Sequence, residues 1–320
     1  MKTASALFAV LLALTAAPSI AQDNWPAKPV RIIVPSAPGG GTDIYARLLA
    51  FGLADSLKQQ FVVDNRPGGN AMIGAEAVAR SAPDGYTLLV SASPALVLNP
   101  ILYKKLPYDA DRDFAPVSAG VVSPLIFVVH PSVPARTLAE LVALGRKEPG
   151  KLAYGSAQLT SATSLGVQIL EYVSGARFNQ IPYKGLGQSF QNLLSGQIAF
   201  MLSDFPIALT HIRSGKVIPL AATHHTKLLP KVPTTEEAGF PIGDVTASFM
   251  VTAPAGTPAP IVQRLNGEIN RIMKTPSMAE KLESHMLIPV FGSPEDFAAR
   301  LKQQRAMWAE AIAKLGIKVE

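Results

Sequence analysis

Short β-branched runs alternate with helix-period runs along most of the chain, and glycine or proline marks nearly every junction. That order constrains the fold more than any other feature. A strand, a helix and a second strand joined in one sheet demand a right-handed crossover, so the chain predicts an α/β fold with mostly parallel sheets flanked by helices. Val30–Val34 is the first strand, followed by a helix over 42–59, a strand over 61–64, a helix over 73–80 and a strand over 86–91. A second series begins with a strand at 125–129. It continues through helix 138–147, strand 152–155, helix 161–174, strand 178–182, helix 188–194 and strands 198–203 and 217–223.

The last part departs from this rhythm. A strand over 248–252 leads to the turn Ala253-Pro-Ala-Gly-Thr-Pro258. A helix over 261–274 then carries Ile261, Leu265, Ile269 and Ile272 on one face. A final helix with Phe297, Leu301, Trp308, Ile312 and Leu315 starts at Ser293-Pro294-Glu295-Asp296, an N-cap serine, a proline at the first helical position and acids in the first turn. The strands at 124–129 and 248–252 are candidate crossovers between two lobes. On that reading one domain comprises 22–123 and 247–320, the other is the insert 124–246, and the pair hinges around a cleft.

Residues 1–21 read as a cleavable secretory leader. Lys2 supplies the positive start, 6–17 is an apolar core too short to span a bilayer, and Ser19-Ile20-Ala21 offers a small-x-small cleavage site. The mature chain is expected to be secreted, without stable membrane insertion. The 320 residues contain no cysteine, which removes disulfide frameworks, thiolate metal sites and thiol nucleophiles. Lys and Arg number 29 against 23 Asp and Glu, but they are scattered, so no stripe suits a phosphate backbone and no nucleic-acid partner is expected.

The strongest local signal is Pro38-Gly39-Gly40-Gly41-Thr42-Asp43, between the first strand and the first helix. Glycines there let the backbone turn sharply and aim amide hydrogens at an anion. A dinucleotide fingerprint fails because Ile44 stands where its third glycine would be, and no P-loop pattern occurs. A second hydroxyl-rich turn, Tyr154-Gly-Ser-Ala-Gln-Leu-Thr-Ser-Ala-Thr-Ser164, again joins a strand to a helix, and its serines and threonines equally suit helix caps. Ser91 and Ser93 follow the third strand, and Asp204 follows another. All four patches lie at carboxyl ends of strands, where open α/β sheets bind ligands.

Catalytic patterns are absent. There is no G-x-S-x-G and no S-x-x-K, and the five histidines show no metal spacing. His224 and His225 are adjacent, and in a strand would face opposite ways. Asp109, Asp111 and Asp113 read as a solvated turn, without the glycine and terminal glutamate of a calcium loop. No cofactor, metal or enzymatic activity is expected.

Several blocks resemble the receptor family of the tripartite tricarboxylate transporters, the Bug-type periplasmic solute-binding proteins. They are 25–34 with Pro38-Gly39-Gly40 and Asp43, Asp64-Asn-Arg-Pro-Gly-Gly69, Pro83-Asp-Gly-Tyr-Thr-Leu88, Tyr154-Gly-Ser156, Pro182-Tyr-Lys-Gly185, Val232-Pro-Thr234 with Glu237-Ala-Gly239, and Ala253–Pro258. The resemblance implies a two-lobed type II periplasmic binding protein fold, joined by two crossover strands and closing over a small carboxylate. It implies a monomer that delivers its solute to membrane permease subunits. The clasp would be Ser36, Pro38, Gly39, Gly40, Gly41, Thr42 and Asp43 on one side, and Ser156, Ala157, Gln158, Thr160, Ser161 and Ser164 on the other, with Ser91, Ser93 and Asp204 beside them. The chain departs from the family's habit at Ser36 and Ala37, where an aromatic and a proline are common, at Gln158 and Thr160, where glycines are common, and at Ser164, where a histidine is common. The expectation is a larger or aromatic carboxylate. The competing readings are a secreted α/β hydrolase-like enzyme and a solute-sensing subunit of a membrane regulator.

Overall fold

The structure, a computed structural model, describes residues 25–243 and 245–316. The leader expected over 1–21 lies outside the described residues. Ten strands form one sheet whose main path runs β2-β1-β3-β9-β4-β7-β5-β6. In its first half β1 (Val30–Val34) lies parallel to β2 (Phe61–Asn65) and β3 (Thr87–Ala92). In its second half β5 (Ala153–Ser156) lies parallel to β6 (Asn179–Pro182) and β7 (Phe200–Asp204). Helices α1 (Gly41–Leu57), α2 (Met72–Ala79), α3 (Leu138–Lys147), α4 (Ala162–Ser174), α5 (Leu186–Leu194) and α6 (Phe205–Arg213) connect these strands.

The parallel character stops at the middle of the sheet. β4 (Phe114–Val129) is 16 residues long and runs antiparallel to β9 (Thr246–Pro254) through its first part. Through its second part it runs antiparallel to β7 and to β8 (Ile218–Ala222). Each expected crossover is therefore longer than the sequence pattern suggests, and β4 and β9 form one ribbon between the halves. The ribbon is irregular: its register shifts between Pro116 and Ser118 and again between Ser118 and Val121. Gly120 sits there at φ +64°, where a Cβ would run into the Phe249 carbonyl oxygen.

Local chemistry explains the helix starts. Thr137, Ser161 and Ser293 each close a reciprocal capping box, with Glu140, Ser164 and Asp296. The last of these opens α9 (Pro294–Leu315) where the sequence placed it. α7 (Ala259–Met273) buries Ile261, Leu265, Ile269 and Ile272 as expected from their spacing. Elements missing from the sequence reading include α6, α8 (Pro276–Ser284), the short strand β10 (Ile288–Pro289) that pairs with β4, and a helical stretch covering Pro94–Leu98 and Asn99–Leu102. α8 buries only Met278 and Leu282, too few apolar positions to show a period. His224 and His225 lie beyond the end of β8, in an exposed bend and not in a strand. Among the described residues no helix is long and apolar enough to cross a membrane.

The core follows the sheet. In the second half Phe200 is fully buried, 4.7 Å from Phe178 in an edge-on contact and 5.5 Å from Tyr154. Phe200→Ala should cost about 3–5 kcal/mol of stability, seen as a lower urea midpoint with an unchanged slope. Gly267 is exposed on α7, and a methyl added there would meet only open space, so Gly267→Ala should instead gain about 0.5–1 kcal/mol in the same titration.

Candidate functional site

A cavity of about 60 Å³ lies between the carboxyl ends of the strands of both halves. One water needs ~10–15 Å³ on this scale, so the space holds about four to six. From the first half come Pro35 and Ser36 after β1, Gly40, Gly41 and Thr42 at the start of α1, and Ser93 and Pro94 after β3. From the second half come Ala157, Gln158, Ser161, Ala162 and Thr163 around the start of α4, Gly185 and Leu186 before α5, and Asp204 at the end of β7. Ala71, Ala92, Ala247 and Phe249 add an apolar wall.

Of the residues expected to clasp a ligand, Ser36, Gly40, Gly41, Thr42, Ser93, Ala157, Gln158, Ser161 and Asp204 are brought together here. The others do not line this cavity. Asp43 is buried and turned back on its own loop. Its Oδ2 accepts from the Gly39 amide at 3.0 Å and from Arg47 Nε at 3.0 Å, and its Oδ1 accepts from Asn65 Nδ2 at 3.0 Å. Burial alone would raise its pKa; the hydrogen bonds from Arg47, Gly39 and Asn65 outweigh that and hold it below the ordinary aspartate range. Pro38 and Gly39 face a neighbouring groove with His211 and Gln191. Ser156 donates to the Gln158 carbonyl at 2.8 Å and accepts from Gln180 at 2.9 Å. Ser164 is spent on capping Ser161, whose own hydroxyl accepts from the Ser164 amide at 3.2 Å. Ser91 is buried in β3 and its hydroxyl finds no partner among the described residues.

Hydrogen bonds tie the halves together around the cavity. The Ala37 amide donates to the Lys184 carbonyl at 3.0 Å, and Gln158 Nε2 reaches the Pro35 carbonyl at 3.5 Å. Asn70 Nδ2 donates to Thr160 Oγ1 and, at 2.7 Å, to Asn99 Oδ1. The Gly41 amide donates to Asp204 Oδ2 at 3.1 Å. Gln158 and Thr160 are thus residues that bridge.

The Gly41 amide, expected to await an anion, is instead occupied by the protein's own carboxyl. Asp204 is 2 % exposed, and burial pushes its pKa up to about 7, against smaller opposing help from the Gly41 and Ile207 amides. Gly41 has to be glycine: a Cβ would overlap the Asp204 carboxyl and come within 2.7 Å of the Phe249 ring.

Much of the apolar lining escaped the sequence reading, including Pro35, Ala71, Pro94, Leu186, Ala247 and Phe249. Phe249 sits inside an apolar strand, where nothing distinguishes a cavity wall from core. Asn70 and Ala71 hold left-handed backbone at φ 51° and 74°, unusual for residues other than glycine. The Pro67-Gly68-Gly69 turn is the only cue to that loop. The lining contains no histidine and no cysteine. Among the described residues no group of three or more His, Cys, Asp or Glu could hold a metal.

Comparison with known proteins decides the family. The model of the tripartite tricarboxylate transporter family receptor matches residues 45–317. The chain belongs to that receptor family. Protein BugT of Bordetella pertussis is 37% identical over 304 residues, covering 94% of this chain and 93% of BugT. An R. palustris protein solved with adipate superposes with a TM-score of 0.89 at 32% identity, over 92% of this chain and 99% of that one. MatC from Rhodopseudomonas palustris, with bound malate, gives 0.85 at 28% identity over 90% of this chain and 100% of MatC. The chain is thus an α/β member of the Bug-type solute-binding family.

Adding one methyl at the Gly41–Asp204 contact should force this family member open. Gly41→Ala is expected to cost about 1–3 kcal/mol of closure. Exchange of the Ala37 amide hydrogen, bonded across the halves, should then speed up roughly 5- to 150-fold. An unchanged exchange rate would mean that the contact does not hold the halves together.

Proposed function

We propose that this chain is a periplasmic receptor that encloses a small carboxylate between two lobes, 22–123 with 247–320 and 124–246, and hands it to the permease of a tripartite transporter. The observation that carries this reading is the cavity between the two halves. Two strand-to-helix turns, Gly40–Thr42 and Ala157–Thr163, meet across it from opposite halves of the sheet. Each is the amino end of a helix of at least 13 residues, where amide hydrogens and the helix dipole favour negative charge.

Ser36, Pro38, Gly39 and Asp43 belong to this clasp as its first turn, and Ser156, Thr160 and Ser164 as its second, through the bonds that shape the loops. The cavity narrows the choice of solute. Room for about four to six waters suits a compact acid, and the Ala, Pro and Phe249 wall suits an apolar body such as a ring or a short methylene chain. An aromatic acid fits that description, and a bulkier one requires the lobes to stay further apart. Family membership supports capture rather than turnover, and the solute-bound relatives are solved with adipate and malate.

Thermal melting against acetate, benzoate, malate, adipate, glutamate and citrate tests the reading. One or two of the compact acids should raise the melting temperature by several degrees at saturation, since a thousandfold excess over Kd stabilises by about 4 kcal/mol. A flat panel, or turnover of the bound acid, would overturn it. Thr160→Ala, which removes the acceptor for Asn70, should weaken the same acid by roughly 1 kcal/mol, about fivefold.

A further inference from the structure

A solute carboxylate entering this cavity meets another carboxyl already there. Asp204 lines the cavity, and its Oδ2 is engaged by the Gly41 amide across the halves. Its Oδ1 is buried and has no hydrogen-bond partner among the described residues. Two carboxylates sharing one partly buried space repel, and with no cation between them one is pushed toward its neutral form.

No cation is placed to do that among the described residues. On α1, Asp43 is paired with Arg47, and the Tyr45 hydroxyl is a buried neutral group. α5 carries no titratable residue, nor do β9, the second part of β4 or the 157–163 turn. Beyond Asp204 itself β7 has none. On α6 the titratable groups are His211, stacked on Phe190, and Arg213, both in the last turn away from Asp204. Lys184, before α5, is exposed.

We propose that Asp204 is the specificity-determining acid of the site: in the loaded, closed state it carries a proton and donates that hydrogen to the solute's carboxylate, so each capture takes a proton from solvent. This deepens the receptor reading and rests on it. The step balances simply. The Asp204 carboxylate of the open protein takes one proton from water, the resulting carboxylic acid donates a hydrogen bond, and the proton returns to solvent when the lobes part. No covalent bond to the solute forms.

Burial already pushes the Asp204 pKa up to about 7 in the closed protein, and a second negative charge beside it pushes further in the same direction. The sign follows. A carboxyl whose pKa is higher in the closed state than in the open one favours closure at low pH. That advantage is full below the open-state value and is lost as pH rises through the closed-state value. Across the neutral range, affinity therefore falls as pH rises, by up to about tenfold per pH unit.

Titration calorimetry of the mature chain tests this. The probe is adipate, or another acid of the melting panel if that gives the larger shift, at pH 7 in PIPES, imidazole and Tris. These buffers differ in ionisation heat, so the dependence of the observed heat on buffer counts protons. Uptake approaching one proton per solute is expected, with affinity up to about tenfold weaker at pH 8 than at pH 7. Asp204→Asn should abolish both the uptake and the pH dependence, its melting curve confirming that it folds. The buffer series on the unaltered protein stands without that variant. Tight binding with no proton uptake would overturn the proposal and leave the receptor reading intact. Failure of every acid to bind would overturn both.

Discussion

The meeting of the two halves turns on one short contact: the backbone of Gly41 against the carboxyl of Asp204. The two groups lie 163 residues apart in sequence and on opposite halves of the sheet. Only a residue without a side chain lets them meet. Around that contact the Asp204 carboxyl is buried, and further cross-links join the halves at Ala37, Gln158 and Asn70.

That arrangement explains the division of labour among the loop residues. The glycine turn is held from behind by Asp43, which gathers the Gly39 amide, Arg47 and Asn65. The second turn is held by Ser156, Ser161 and Ser164, whose hydroxyls are committed to backbone, to one another or to neighbouring Gln180 and Thr163. Side chains that look like ligand donors in the sequence thus become the frame, and much of what faces the cavity is backbone, methyl groups and one ring.

The parallel parts of the fold were legible because β-branched runs and helix periods announce themselves, as in Val30–Val34 and the Ile261–Ile272 face. The antiparallel extension of β4 back to Phe114 was not, since Ala115, Pro116 and Ser118 carry no strand pattern and are held by pairing with β9. In the site, the strand-end turns were legible from Gly40, Gly41 and Ser161. The role of Asp204 as occupant of the Gly41 amide was not, because that depends on contact between distant segments. Phe249 and Asn70 were hidden for the same reason, one as ordinary strand, the other as ordinary turn.

The irregular ribbon has a mechanical meaning. Gly120, at the bulge in β4, lies against the backbone of Phe249, and the ring of Phe249 lines the cavity. The strand carrying that ring is also a strut joining the two halves. On the receptor reading proposed above, a guest pressing on that ring presses on the strut itself, so the element that joins the halves is also the one that gauges size.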